Sequence, residues 1–289
     1  MDHGWPDDHT VRVALALAVR APSVHNTQPW RWRIGEHAVQ LYLDPARALP
    51  ATDPDQRDMV LSCGAALHHL RVAFAALGWS AVVHRLPNPA ESNHLASIEL
   101  VRHRPNPQDI ALSAAITRRK TDRRHFSSRP VPPGYSVLLH ERAATLGAAV
   151  RQVTGRSRDC LIDTLRVAAE HHAGVFADPR LVEEADEPDF AELLVLATAG
   201  DDRGSRLCAG EALSAVLLTA TNVGLATCVL TEPLEIPALR HRVRAGVLDD
   251  NRYPQALIRI GWAPTSSEQL PMTPRRSVED DRIPSKPPR

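Results

Sequence analysis

GAALHHLRVAFAALGWSAVV, residues 64–83, is matched 146 positions later by GEALSAVLLTATNVGLATCV, residues 210–229. Gly64-Ala65-Ala66-Leu67 aligns with Gly210-Glu211-Ala212-Leu213, Gly78-Trp79 with Gly224-Leu225, Val83 with Val229 and Pro87 with Pro233. In each copy a glycine opens the segment and a long apolar helix follows. A second glycine stands where a C′ residue leaves the helix, and a short strand runs to a proline. Alanine-rich helices align by chance, but matched glycines and prolines outside the helix do not follow from composition. The match predicts an internally duplicated chain with halves 1–105 and 106–289.

Outward from the repeat, local signals place the other elements. Residues 10–21 read as a helix that Thr10 can cap and Pro22 stops. Trp30 to Ile34 alternates as a half-buried strand does, and Val39 to Leu43 pairs with it across Gly35. The repeat helices span 62–78 and 207–223. Further helices are expected at 107–117, 135–146 and 157–173, with strands at 81–83, 96–101, 148–153, 192–198 and 256–262. Gly200-Asp201-Asp202-Arg203-Gly204 lacks the glycine spacing of a phosphate loop and reads as a strand-to-helix turn. The tail after Pro264, rich in Pro, Ser and Arg, is expected on the surface.

Composition excludes several classes. The chain has 289 residues, 43% hydrophobic and 24% charged, enough to bury a large core. Lys+Arg and Asp+Glu are both 34, so no basic excess recruits nucleic acid. Lys120 and Lys286 are the only lysines, so the positive charge is carried by guanidinium, which binds phosphate in a fixed fork. Cys63, Cys160, Cys208 and Cys228 form no CxxC pair, against a zinc ribbon or a thioredoxin-like motif, and thiols fit a reducing cytosol. No run of about 18 apolar residues predicts a membrane span, and no signal peptide is expected. His68-His69 and His171-His172 are adjacent and do not share a helix face for a metal. They read as exposed or satisfied histidines.

Three constellations could carry chemistry. Between Pro22 and Pro29 lie Ser23, His25, Asn26, Thr27 and Gln28, polar groups on a stiffened backbone that suit a planar heterocycle. An ordinary polar turn would carry the same residues. Thr117 to Arg124 packs five cations into eight residues, which repel one another unless an anion sits among them. A solvated face is the alternative, and RNA binding lacks its interleaved aromatics. Pro271 to Arg276 sets two arginines on a proline-stiffened tail. These could close over the same phosphate or simply lie disordered.

The stretch Ala21-Pro22-Ser23-Val24-His25-Asn26-Thr27-Gln28-Pro29-Trp30 resembles the Pro-Ser-x-x-Asn-x-Gln-Pro-Trp motif of the nitroreductase superfamily. Arg119-Lys120-Thr121-Asp122-Arg123 is similar to its Arg-x-Ser/Thr-x-Arg/Lys FMN motif. Pro274-Arg275-Arg276-Ser277-Val278-Glu279 resembles its basic C-terminal segment. Ala51 to Asp55, Leu61 to His69 and Ala209 to Ala212 look like the Acg family of actinobacterial nitroreductase-like proteins. The resemblance spans about residues 10 to 280.

The resemblance implies an α+β, nitroreductase-like fold, here internally duplicated as a pseudo-dimer with antiparallel-rich sheets flanked by long helices. Superfamily members are usually homodimers with FMN at the interface. Here the Pro-Ser-x-x-Asn motif occurs only in the first half and the arginine motifs only in the second, implying one FMN per chain between the halves. Arg119, Lys120, Thr121 and Arg123 are the implied FMN ligands of the arginine motif. Arg119 and Arg123, with Arg275 and Arg276, serve the phosphate or ribityl end, and Thr121 supplies a hydroxyl. Ser23, Asn26, His25 and Gln28 reach the cofactor from the other half. Backbone around Val229, Leu230 and Thr231 approaches the flavin edge. No residue is assigned a catalytic role, because the cofactor does the chemistry. The implied activity is ping-pong reduction of nitroaromatic or quinone-like acceptors by NAD(P)H. The alternative is an FMN-binding protein without turnover, its flavin closed to nicotinamide. A cytoplasmic monomeric pseudo-dimer is expected, with a homodimer as the other option, and no nucleic-acid, membrane or metal partner. One departure stands out: Acg-family chains carry a longer, lid-like stretch where only Ala173 to Asp189 separates a helix from the strand at 192.

Overall fold

The computed structural model describes residues 4–172, 189–264 and 270–284. The chain forms two compact units, Met1–Arg118 with Arg206–Ser214 and Pro274–Arg289, and Arg119–Ser205 with Ala215–Thr273. The lid-like stretch from Ala173 falls almost wholly outside the described residues.

In the first unit α1 (Asp8–Ala18) is capped by Asp7, whose Oδ1 accepts from the Thr10 amide at 2.7 Å. The hairpin β1 (Trp30–Ile34) and β2 (Val39–Leu43) pairs in register Trp30↔Leu43 to Ile34↔Val39. Helix α2 (Arg57–Ala76) follows, then β3 (Trp79–Arg85), β4 (His94–Arg102) and α3 (Pro107–Arg118). The sheet is antiparallel with order β1-β2-β4-β3. Its core is built from Trp30, Trp32, Leu41, Ile98 and the α2 residues Met59, Leu67 and Phe74. Helix α2 is apolar on nearly every side because it is buried on nearly every side. Among the described residues it is the one helix long and apolar enough to cross a membrane, and most of it lies inside this core.

The second unit holds α4 (Pro133–Ala144), β5 (Ala148–Gln152), α5 (Gly155–His172) and β6 (Glu192–Thr198). Helix α6 (Arg203–Asn222) begins here at its cap Asp202, as the Gly200–Gly204 turn predicts, and lends residues 206–214 to the first unit. Then come β7 (Ala226–Leu230), α7 (Glu232–Glu235), α8 (Pro237–Leu248) and β8 (Tyr253–Gly261). Again the sheet is antiparallel, with order β5-β6-β8-β7.

The two sheets repeat one topology. Each second strand even shifts register at a matching place, between Leu41 and Tyr42 against β4 and between Leu196 and Ala197 against β8. Both repeat helices end on a left-handed glycine, Gly78 at φ +88° and Gly224 at φ +86°, which explains their matched spacing. The fold is thus α+β and duplicated, with antiparallel sheets flanked by long helices. Helices α7 and α8 were not expected from sequence. The α8 stretch PALRHRVRAGVL intersperses its apolar residues with three arginines and a histidine, carries an internal glycine, and ends on left-handed Asp249 rather than on a glycine.

Candidate functional site

The expected site residues fall into one cluster in each unit. In the first, α1 stops before Pro22 and the chain enters a short 3₁₀ turn, Val24–Asn26. His25, Asn26 and Gln28 adopt left-handed backbone at φ +44°, +56° and +50°. Asparagine tolerates this. The other two carry strain of roughly 1 kcal/mol each, so surrounding contacts must hold them. The Ser23 hydroxyl accepts from the Gln28 amide at 3.0 Å, and the Val24 amide donates to Ser62 Oγ of α2 at 3.3 Å. His25 is exposed, whereas Gln28 is buried.

The C-terminal tail supplies much of the restraint. Asn26 Nδ2 donates to the Pro274 carbonyl at 3.1 Å, and Arg275 Nη1 donates to Asn26 Oδ1 at 3.1 Å. Arg275 Nη2 reaches the carbonyls of Arg20 and Ala21, each at 3.3 Å, at the exit of α1. The Arg276 amide donates to Gln28 Oε1 at 2.9 Å, and Gln28 Nε2 donates to the Asn26 carbonyl at 3.1 Å. Burial, and then the charge of Arg20, pull the Arg275 guanidinium below its usual pKa. The Arg276 side chain stays about half exposed, 3.9 Å from Asp281 Oδ1.

The expectation of a surface tail is corrected at Asp281, which is fully buried. Its carboxylate pairs with Arg47 at 2.8 Å and accepts from Trp30 Nε1 at 3.2 Å. The Trp32 amide donates to the Asp281 carbonyl, and the Ile283 amide to the Trp32 carbonyl, both at 2.7 Å, so the tail adds a short parallel bridge along β1. Burial pushes the Asp281 carboxyl up, and Arg47 opposes this. Arg47, absent from the expected set, also donates to the Gln28 carbonyl and pairs with Asp44 at 3.1 Å. Its partner at 281 lies too far along the chain for any local pattern to announce it.

In the second unit Thr121 forms a parallel bridge with Thr227 at the start of β7, and the Asp122 amide donates to the Thr227 carbonyl at 2.9 Å. Buried Asp122 chelates Arg124, Nε to Oδ1 at 2.8 Å and Nη2 to Oδ2 at 2.6 Å. That pairing resolves part of the charge crowding seen in the sequence. Arg119 is buried, the Lys120 ammonium donates to the Leu270 carbonyl, and Arg123 is exposed. Arg123 lies near enough for its charge, with that of Arg259, to oppose the rise that burial imposes on the Cys228 thiol. Leu230 is buried at the end of β7, and Thr231 is the residue before α7, accepting from the Leu234 amide at 2.7 Å. The structure therefore brings Ser23, Asn26, Gln28, Arg275 and Arg276 together in one unit. In the other it sets Thr121 beside β7, whose end carries Leu230 and Thr231.

No protein-family model matches the chain. It is 45% identical, over 319 aligned residues, to the Mycobacterium tuberculosis protein named "Putative NAD(P)H nitroreductase Rv3131", covering 96% of this chain and 92% of that one. It is 36% identical to the Mycobacterium tuberculosis protein named "Putative NAD(P)H nitroreductase acg", covering 93% and 94%. Among solved structures, the FMN and NADPH-dependent nitroreductase NfnB from sphigopyxis sp. strain HMH aligns with a TM-score of 0.46 at 19% identity, covering 61% of this chain and 99% of that one.

Proposed function

This chain belongs to the nitroreductase superfamily, and from that membership we propose that it is an FMN-dependent oxidoreductase of the Acg type, working in the cytosol. Bound FMN would supply two-electron chemistry, taking hydride from NAD(P)H and reducing a nitroaromatic or quinone-like acceptor in alternating half-reactions. The observation that carries the reading is the Ser23–Gln28 turn, a strained polar loop that the protein's own tail holds in place.

The donor set fits the group. Exposed Arg123 and half-exposed Arg276 offer forked charge to a phosphate dianion, with Arg119 and Lys120 adding charge to the same end. Thr121 contributes a hydroxyl. Ser23, His25, Asn26 and Gln28 are assigned to the heterocycle, and backbone groups at Leu230 and Thr231 to its edge.

Replacing Arg119 and Arg123 together by alanine is expected to lower FMN affinity roughly 100-fold and release the flavin on desalting. A double variant that stays yellow with unchanged affinity would refute the phosphate assignment. For turnover, the holoprotein is mixed anaerobically with NADPH or NADH. Bleaching of the flavin absorbance within seconds is expected. Colour that persists until dithionite is added would instead establish an FMN-holding protein closed to nicotinamide.

A further inference from the structure

The two tail arginines differ in what their guanidinium groups touch. Arg275 is partly buried and bonds to the Arg20 and Ala21 carbonyls, to the Pro274 carbonyl at 3.0 Å and to Asn26 Oδ1. These acceptors are protein oxygens at the exit of α1, in the strained turn and in the tail itself. Arg276 gives the turn only its backbone amide and keeps its side chain about half exposed.

We infer that Arg275 is a positioning residue, which fixes the left-handed turn and the orientation of the Asn26 amide, while Arg276 alone of the pair brings charge to the anionic end of the ligand. This rests on the FMN reading above and divides a labour that the resemblance assigns to both residues alike. The bond from Arg275 makes Oδ1 the acceptor, and the bond to Pro274 uses one Nδ2 hydrogen. The amide cannot flip without breaking both, so its remaining N–H has one direction. A lysine in place of Arg275 would keep the charge but not the fork that spans the α1 exit and Asn26 together.

FMN and riboflavin, which lacks the phosphate, distinguish the two roles when titrated by flavin fluorescence. Arg275→Ala is expected to weaken both flavins by the same factor, about tenfold. Arg275→Lys should resemble Arg275→Ala, and Arg276→Ala should weaken FMN alone. In the apoprotein, hydrogen exchange at the Asn26, Thr27 and Gln28 amides should rise about tenfold in Arg275→Ala and stay unchanged in Arg276→Ala. The inference is overturned if Arg275→Ala weakens FMN but not riboflavin, if Arg275→Lys binds both as the wild type does, or if exchange in the turn is unmoved. A wild-type protein that binds neither flavin would sink the FMN reading instead, and exchange alone would then decide the positioning role.

Discussion

His68 shows how little a side chain's identity says before its surroundings are known. Adjacency to His69 argues against a shared metal, but not whether either ring meets water. In the fold His68 is buried in α2, its Nδ1 2.8 Å from Ser214 Oγ. Burial, and then the Arg71 charge, hold its pKa down at about 3. The unfolded chain binds this proton near pH 6.5 and the folded chain does not, so stability is full above that pH and drains away as pH falls toward 3. His68→Gln removes the titration. Between pH 7 and pH 4.5, wild type is expected to lose about 2 kcal/mol more than the variant in urea unfolding. Equal losses would mean that the ring is protonated in place. Asn26 and Gln28 teach the same lesson: their motif was readable, but the partners of their amides were not.

The element that organises the first unit is the crossing of α2 with residues 206–214 of α6. A Cβ on Gly64 would stand 2.2 Å from the Leu207 carbonyl oxygen, and one on Gly210 would stand 1.9 Å from that of Leu61. Residues 61 and 207, like 64 and 210, are 146 apart, and so are His68 and Ser214. Equivalent positions of the repeat therefore meet each other within this unit. The obstacles are backbone atoms, which cannot swing aside. Gly64→Ala or Gly210→Ala is expected to destabilise by about 3 kcal/mol, read as a lowered urea midpoint. A midpoint within error of wild type would contradict the close approach. Next to the crossing, fully buried Glu211 accepts from Arg71 Nη1 and Arg85 Nε, each at 2.6 Å. Both arginines are about a third exposed and can turn to solvent, so Glu211→Gln is expected to cost only about 2 kcal/mol of unfolding free energy. A loss near zero would show that the two pairs contribute nothing net.

For the whole molecule, descent and compactness draw different lines. We propose duplicated halves at 1–105 and 106–289, whereas the compact units trade 206–214 and the tail into the first. The Pro-Ser-x-x-Asn turn and the Arg-x-Thr-x-Arg segment each occur once, so flavin titration is expected to end at one FMN per chain. An endpoint of two would mean that the duplicate site survived. The order of residues was enough to determine the helices with their terminal glycines, the hairpin, the duplication and the polar turn between its prolines. Those features depend on backbone geometry and apolar spacing over a few residues, or on comparing the chain with itself. Folding alone decided that Asp281 is buried, that Arg47 joins the turn to the tail, and which cation is spent on protein oxygens and which still faces solvent. Those outcomes depend on burial and on pairs nearly 250 residues apart, and no local pattern encodes the distance between them.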